Sequence, residues 1–231
     1  MTYRLHHAPD NASLIVRLTL LELGQPFDAV LVDRTRQAQK SPAYLALNPN
    51  GLIPVLETDS GPIFETGAIL LWLADRHVAL LPTPGDPRRG EALKWLFFLS
   101  NTLHAGLRMQ FYPAAYVGED AHAQACLRKT NAANLATHLK KLNALAQGRD
   151  WLLGNDLSVL DLYLAPLLRW CALYPLGDTG WFALPDYPAL AAILERLETR
   201  GSVKAAAQAE GLGPRPFTDP RLANPPEGSA T

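Results

Sequence analysis

Cysteine is scarce: Cys126 and Cys171 are the only two in 231 residues. Two thiols are too few for a disulfide framework and suit a reducing compartment, so the expected location is the cytoplasm. An excess of one charge is missing too. The chain has 21 Lys and Arg against 22 Asp and Glu, a formal net charge of −1. The balance holds locally: residues 1–80 carry 6 basic and 8 acidic side chains, and residues 88–210 carry 13 and 11. Phosphate contacts need a clustered cationic surplus, so no nucleic-acid partner is expected. No apolar run approaches the roughly 18 residues of a membrane span. The opening MTYRLHHAPD has no cationic stretch leading into an apolar one, so neither a membrane partner nor a secretory signal is expected. There is no internal repeat. What remains, 48% hydrophobic and 19% charged, is an ordinary globular composition with room for one or two cores.

Residues 1–80 alternate between strand and helix signals. Tyr3 to His7 reads as a strand stopped by Pro9-Asp10-Asn11. Ser13 to Leu23 has a helical apolar pattern, with Ser13 or Asn11 as N-cap and Gly24 just beyond its end. Phe27 to Val32 reads as a second strand. Ser41 to Leu47 reads as a short helical piece before the turn Asn48-Pro49-Asn50-Gly51. Ile53 to Leu56 and Pro62 to Phe64 form a hairpin around Asp59-Ser60-Gly61, and Thr66 to His77 is an apolar helix. The order βαβ then ββα predicts a small mixed sheet with helices on its faces.

Residues 81–87, Leu-Pro-Thr-Pro-Gly-Asp-Pro, form a linker. Residues 88–210 then read as helical: Arg88 to about Met109, Glu119 to about Ala146, Ser158 to Ala172, Ala189 to Glu198 and Ser202 to Ala209. Leu127, Leu135, Leu139 and Leu142 give the second of these a half-buried face. Ser158 with Asp161 is a capping-box-like start. Residues 211–231 are rich in Pro and Gly and are expected to be a partly ordered or mobile tail.

The run Asn48-Pro-Asn-Gly-Leu-Ile-Pro-Val55, then Phe64-Glu65-Thr66 with Ala68-Ile69-Leu70, resembles the soluble glutathione transferases. Trp72-Leu73-Ala74-Asp75 and Leu157 to Ala165 continue that resemblance in the same order. Ala8-Pro9-Asp10-Asn11-Ala12-Ser13-Leu14 and Thr102-Leu103-His104-Ala105-Gly106 look most like the bacterial beta class. The resemblance implies a thioredoxin-like α/β N-terminal domain and an all-α C-terminal domain, in a homodimer. It also implies glutathione as cosubstrate, no metal, and conjugation to a small hydrophobic electrophile, as in detoxification. A glutathione-dependent disulfide or peroxide reductase without a protein cysteine, and a non-catalytic binding protein, are the alternatives on the same fold.

The site expectations follow the segments. A cis bond between Ile53 and Pro54 would turn the Ile53 backbone outward, where an extended peptide pairs as an added strand; an edge-strand proline is the plainer alternative. The start of the helix at Thr66 would receive the γ-glutamyl carboxylate, with Glu65 facing the α-ammonium group. Thr66 can equally cap its own helix. Gln39 and Lys40 are matched to the glycine carboxylate. A cysteine thiol has a pKa of about 8.5, so an enzyme using it needs a donor near the sulfur. The beta-class cysteine is replaced by Ala12. Ser13 is ranked first as the donor, Asn11 second and His6 third. His104, Tyr112 and Tyr116, together with Trp170, are the cosubstrate-cleft candidates, although helical aromatics are more often core. Asp161 is read as a folding signal.

Overall fold

The structure is a computed structural model that describes residues 2–230. Its contacts divide it into two compact units. Of the described residues, the first contains 2–89, 198–216 and 221–230; the second contains 90–197 and 217–220.

The first unit is built on four strands: β1 (Tyr3–His7), β2 (Phe27–Leu31), β3 (Val55–Thr58) and β4 (Gly61–Phe64). Their spatial order is β2-β1-β3-β4. β1 and β2 are parallel, because helix α1 (Ser13–Glu22) carries the chain back between them. β3 is antiparallel to both β1 and β4. Thr58 closes the β3–β4 turn: its hydroxyl donates to Gly61 O and accepts from the Ser60 amide. Along one row of the sheet, Leu5 faces Leu56 and Leu56 faces Ile63. These side chains pack with Val16 and Leu20 of α1 and with Ile69 and Leu73 of α3 (Thr66–His77). Val55, of opposite parity to Leu56, packs with Val32 and Tyr44, the latter on the short helix α2 (Pro42–Leu45). Helices on both faces thus follow from strand alternation.

One expectation changes in this unit. The cap of α1 is Ala12, with no side-chain hydrogen bond, so neither Ser13 nor Asn11 is the N-cap. Of the two expectations for the tail, partly ordered or mobile, its contacts fit the first. Asn224 donates its amide to Gly211 O, Arg34 Nη1 donates to Ala230 O, and Gly228 sits against Leu31 and Pro9. By their contacts, residues 198–216 and 221–230 group with the sheet.

In the second unit the expected first helix runs unbroken from Arg89 to Phe111, with a π segment inside it. α4 (Arg89–Phe98) runs into a π turn at Leu99–His104 and then α5 (Ala105–Phe111). A short α6 (Ala114–Val117) precedes α7 (Ala121–Ala146), which is capped by Asp120 through the amides of His122 and Ala123. α8 (Val159–Leu173) is buried from Val159 to Cys171, as a helix apolar on every side must be. Its Ser158–Asp161 capping box forms as expected. Asp161 also accepts from the Leu152 amide, which ties the preceding loop to the helix start. α9 (Pro188–Glu198) begins under Asn143 of α7, whose Oδ1 accepts from the amides of Ala189 and Leu190. α10 (Gly201–Glu210) returns to the first unit beside α1.

Candidate functional site

Strand register determines which segments meet. His6 is opposite Val55, and Val55 is opposite Phe64. The end of β1, the start of β3 and the end of β4 therefore lie side by side, with neighbouring strands about 4.8 Å apart. The segments that follow or precede them share that end of the sheet: the turn 8–12, the approach 51–54 and the start of α3. His7 is opposite Leu31, which brings the chain after β2 to the same end.

The approach to β3 is held by two buried side chains. Asn48 donates from Nδ2 to Leu52 O and accepts the Asn50 amide on Oδ1. Tyr44 donates its hydroxyl to the same Leu52 O, and burial raises its pKa far above ordinary pH. The Ile53–Pro54 bond is cis, as expected. Neither the N–H nor the C=O of Ile53 bonds to another described residue. Gly51 has φ +61, and a Cβ there would stand 2.9 Å from both Gln39 O and Lys40 Nζ. The lysine stem thus lies over this loop. Gln39 Oε1 is buried without a partner among the described residues. Tyr44 and Asn48 were not among the sequence candidates. The Asn48 turn signal was visible in the sequence, whereas nothing local marks Tyr44.

Glu65 has φ +71 and ψ 112, a strained backbone for a residue with a Cβ. It is the N-cap of α3 and supplies no side-chain bond. Thr66 is the first helical residue and is buried, and its hydroxyl does not cap the helix. The first amides of α3 therefore keep their orphan donors, at the positive end of a 12-residue helix dipole.

At the start of α1 the candidates differ. Ser13 is fully buried, and its hydroxyl donates to Ala8 O at 3.0 Å and accepts from Ala8 N at 3.2 Å. It is committed to the backbone of the turn and has no proton left for a sulfur. Asn11 is half-buried; its Oδ1 accepts from the Ala12 amide at 2.8 Å, and its Nδ2 bonds to no described residue. His6 is held by Glu57, Nε2 to Oε1 at 2.7 Å, and that carboxylate also pairs with Arg4.

The remaining candidates lie in the second unit. His104 ends the π turn, with Nδ1 2.9 Å from the Tyr163 hydroxyl and its ring tilted against Trp170. Burial and then Arg108 lower its pKa to about 4, so it is neutral at ordinary pH. Tyr112 and Tyr116 are exposed, and Arg108 lies over the Tyr112 ring.

Residues 12–76 match the pattern of the glutathione S-transferase N-terminal domain, and residues 120–196 match that of the C-terminal domain. Glutathione S-transferase GST-4.5 of Xanthomonas campestris pv. campestris is 33% identical over 211 residues, covering 90% of this chain and 99% of the relative. The chain belongs to the glutathione S-transferase family. Glutathione S-transferase GstA of Escherichia coli O157:H7 is 30% identical over 213 residues, again covering 90% of this transferase and 99% of the relative. A sphingomonad glutathione S-transferase solved in complex with glutathione is 34% identical, with a TM-score of 0.76 over 91% of this chain and 100% of that one. The N-terminal match begins at Ala12, inside the turn that carries Asn11.

Proposed function

We propose that this transferase conjugates glutathione to a small hydrophobic electrophile, with the Asn11 side-chain amide as the donor to the sulfur. The observation that carries this reading is the convergence at one end of the sheet. It collects an unpaired peptide edge at Ile53, an uncapped helix start at Thr66 and an uncommitted amide at Asn11. A γ-glutamyl peptide fits this set. Its cysteinyl unit pairs with Ile53 as an added strand, its carboxylate meets the α3 amides, and its α-ammonium group faces Glu65. Lys40, over Gly51, is the cation for the glycine carboxylate, with Gln39 beside it.

The thiol must lose its proton. Donation from Asn11 Nδ2, with the field of α1, favours the thiolate; each unit of pKa lowering takes about 1.4 kcal/mol. The sulfur then attacks the electrophilic carbon, a leaving group departs, and the protein forms no covalent bond. In this reading Ala12 replaces the beta-class cysteine, and Ser13 is a structural residue. His104, Tyr112 and Tyr116 are the cosubstrate-side residues. A cytoplasmic homodimer is the proposed working form.

One observation favours a second chemistry on the same site. Both cysteines lie in the second unit, Cys171 buried and Cys126 on the exposed side of α7. A thiolate held by an amide alone can also reduce a mixed disulfide, taking one half as a glutathione disulfide and releasing the other as a thiol.

Asn11→Ala is the first test. The pKa of bound glutathione, followed by thiolate absorbance, should rise by about one unit, which corresponds to roughly 1.4 kcal/mol. An unchanged value removes Asn11 from this role. Turnover of a chloronitroaromatic against that of a mixed disulfide then separates the two chemistries.

A further inference from the structure

The turn that carries Asn11 is held from the far end of the sequence. Glu210, the last residue of α10, is fully buried. Its Oε2 accepts from the Asp10 amide at 2.8 Å, and its Oε1 accepts from Arg17 Nε at 2.8 Å. Arg17 Nη2 in turn lies 3.2 Å from His7 Nδ1, and its guanidinium stands over the Phe27 ring. Asp10 has φ +48, in the left-handed region where a residue with a Cβ needs support, and it immediately precedes Asn11.

A buried ion pair is a poor way merely to join two helices, because apolar residues of similar volume commonly do so at no loss. α10 already presents Val203, Ala206 and Ala207 as buried apolar residues. What an apolar residue at 210 would lack is an acceptor for the Asp10 N–H. Burial does penalise the carboxylate, raising its pKa to about 7 against the opposing pull of Arg17 and the Asp10 amide. The pair is thus retained in a place where it is costly, aimed at one backbone donor in the turn of interest.

We propose that Glu210 is a positioning residue of the thiol site: by accepting the Asp10 amide it fixes the strained turn from which Asn11 presents its Nδ2 to the glutathione sulfur. This inference rests on the reading of Asn11 as the sulfur donor. Arg17 is the second member, orienting Glu210 through Nε while its Nη2 lies against His7 at the end of β1. The docking groups at Ile53 and Thr66 have no part in this network, so the network acts on the thiol and leaves peptide affinity alone.

The test uses the full-length protein with glutathione. Glu210→Gln keeps the volume but places an amide where two donors need two acceptors. In the folded variant the pKa of bound glutathione should rise by about one unit, leaving about tenfold less thiolate at fixed pH well below that pKa. The kcat for a chloronitroaromatic should fall to match, while the glutathione Kd changes less than twofold. A folded Gln variant with the wild-type thiol pKa overturns the proposal, as does one that loses affinity and kcat together through a disordered site. Asn11→Ala is measured in parallel. If it leaves the thiol unmoved, the donor reading falls and takes the proposal with it. If it moves the thiol and Glu210→Gln does not, only the positioning role falls. Should the Gln variant not fold, wild-type protein decides by amide hydrogen exchange. A protected Asp10 N–H in the glutathione complex supports the proposal, and exchange at the rate of an open turn overturns it.

Discussion

Ser13 exchanges both of its hydrogen bonds with the backbone of Ala8, and this sets what its loss does. Ser13→Ala strands a buried N–H and a buried C=O, at a cost of about 1–3 kcal/mol. At this chain length that lowers the melting temperature by roughly 2–4 °C per kcal/mol, which calorimetry reads directly. The pKa of bound glutathione should stay at its wild-type value, and a rise would return the thiol to Ser13. From sequence, a hydroxyl at a helix start reads as a cap or a ligand donor. Its use in bonding the preceding turn depends on how residues 8–12 fold back, which no local pattern records. Thr66 is the reverse case. Its position after Glu65 was legible, and the helix starts there without a side-chain cap. Thr66→Val removes one hydroxyl and keeps the shape. Glutathione should bind more than tenfold more weakly by calorimetry, and an unchanged Kd removes the helix start from the docking site.

Elements announced by local chemistry were the ones the sequence could show. The β3–β4 turn, the start of α3 and the Ser158–Asp161 box rest on residues within a few positions of one another. The α1 cap was misread because Ala12, with no side-chain acceptor, holds that place. The π turn at Leu99–His104 lies inside one continuous helix, and the apolar spacing does not mark it. Asp161 shows how much one element start can carry. Its carboxylate, fully enclosed, accepts from the amides of Leu152 and Ser158 and from the Ser158 hydroxyl. Asp161→Ala orphans these donors together, and the expected loss is about 3 kcal/mol in denaturant unfolding, with the slope unchanged. A loss under about 1 kcal/mol would show that water or relaxation replaces the carboxylate. The variant should still bind glutathione, because the docking residues lie in the other unit.

At the scale of the whole molecule, composition left the tail open between partly ordered and mobile. A Pro- and Gly-rich end reads as either, and Asn224, Glu227, Gly228 and Ala230 all touch groups in residues 7–34 or at Gly211. Those to residues 7–34 join positions some two hundred apart in sequence, and only the folded chain reveals them. His7 reports on them. It is buried, its Nε2 lacks a hydrogen bond among the described residues, and the Glu227 carboxylate stands 4.0 Å away. Burial first, then the charges of Arg17 and His6, lower its pKa from 6.5 to about 4. A histidine depressed in this way favours the folded state fully above pH 6.5, and that contribution disappears as the pH falls through about 4. Deleting residues 221–231 exposes the ring, so its pKa should climb back toward 6.5 in a proton NMR titration. The truncated protein should be less stable at pH 7 by several degrees in melting temperature. Its deficit should shrink between pH 6.5 and pH 4, because the full-length chain alone loses the His7 contribution over that window. A truncated chain with unchanged melting temperature and His7 titration would mean that the contacts at residues 9, 31 and 34 contribute nothing to the fold.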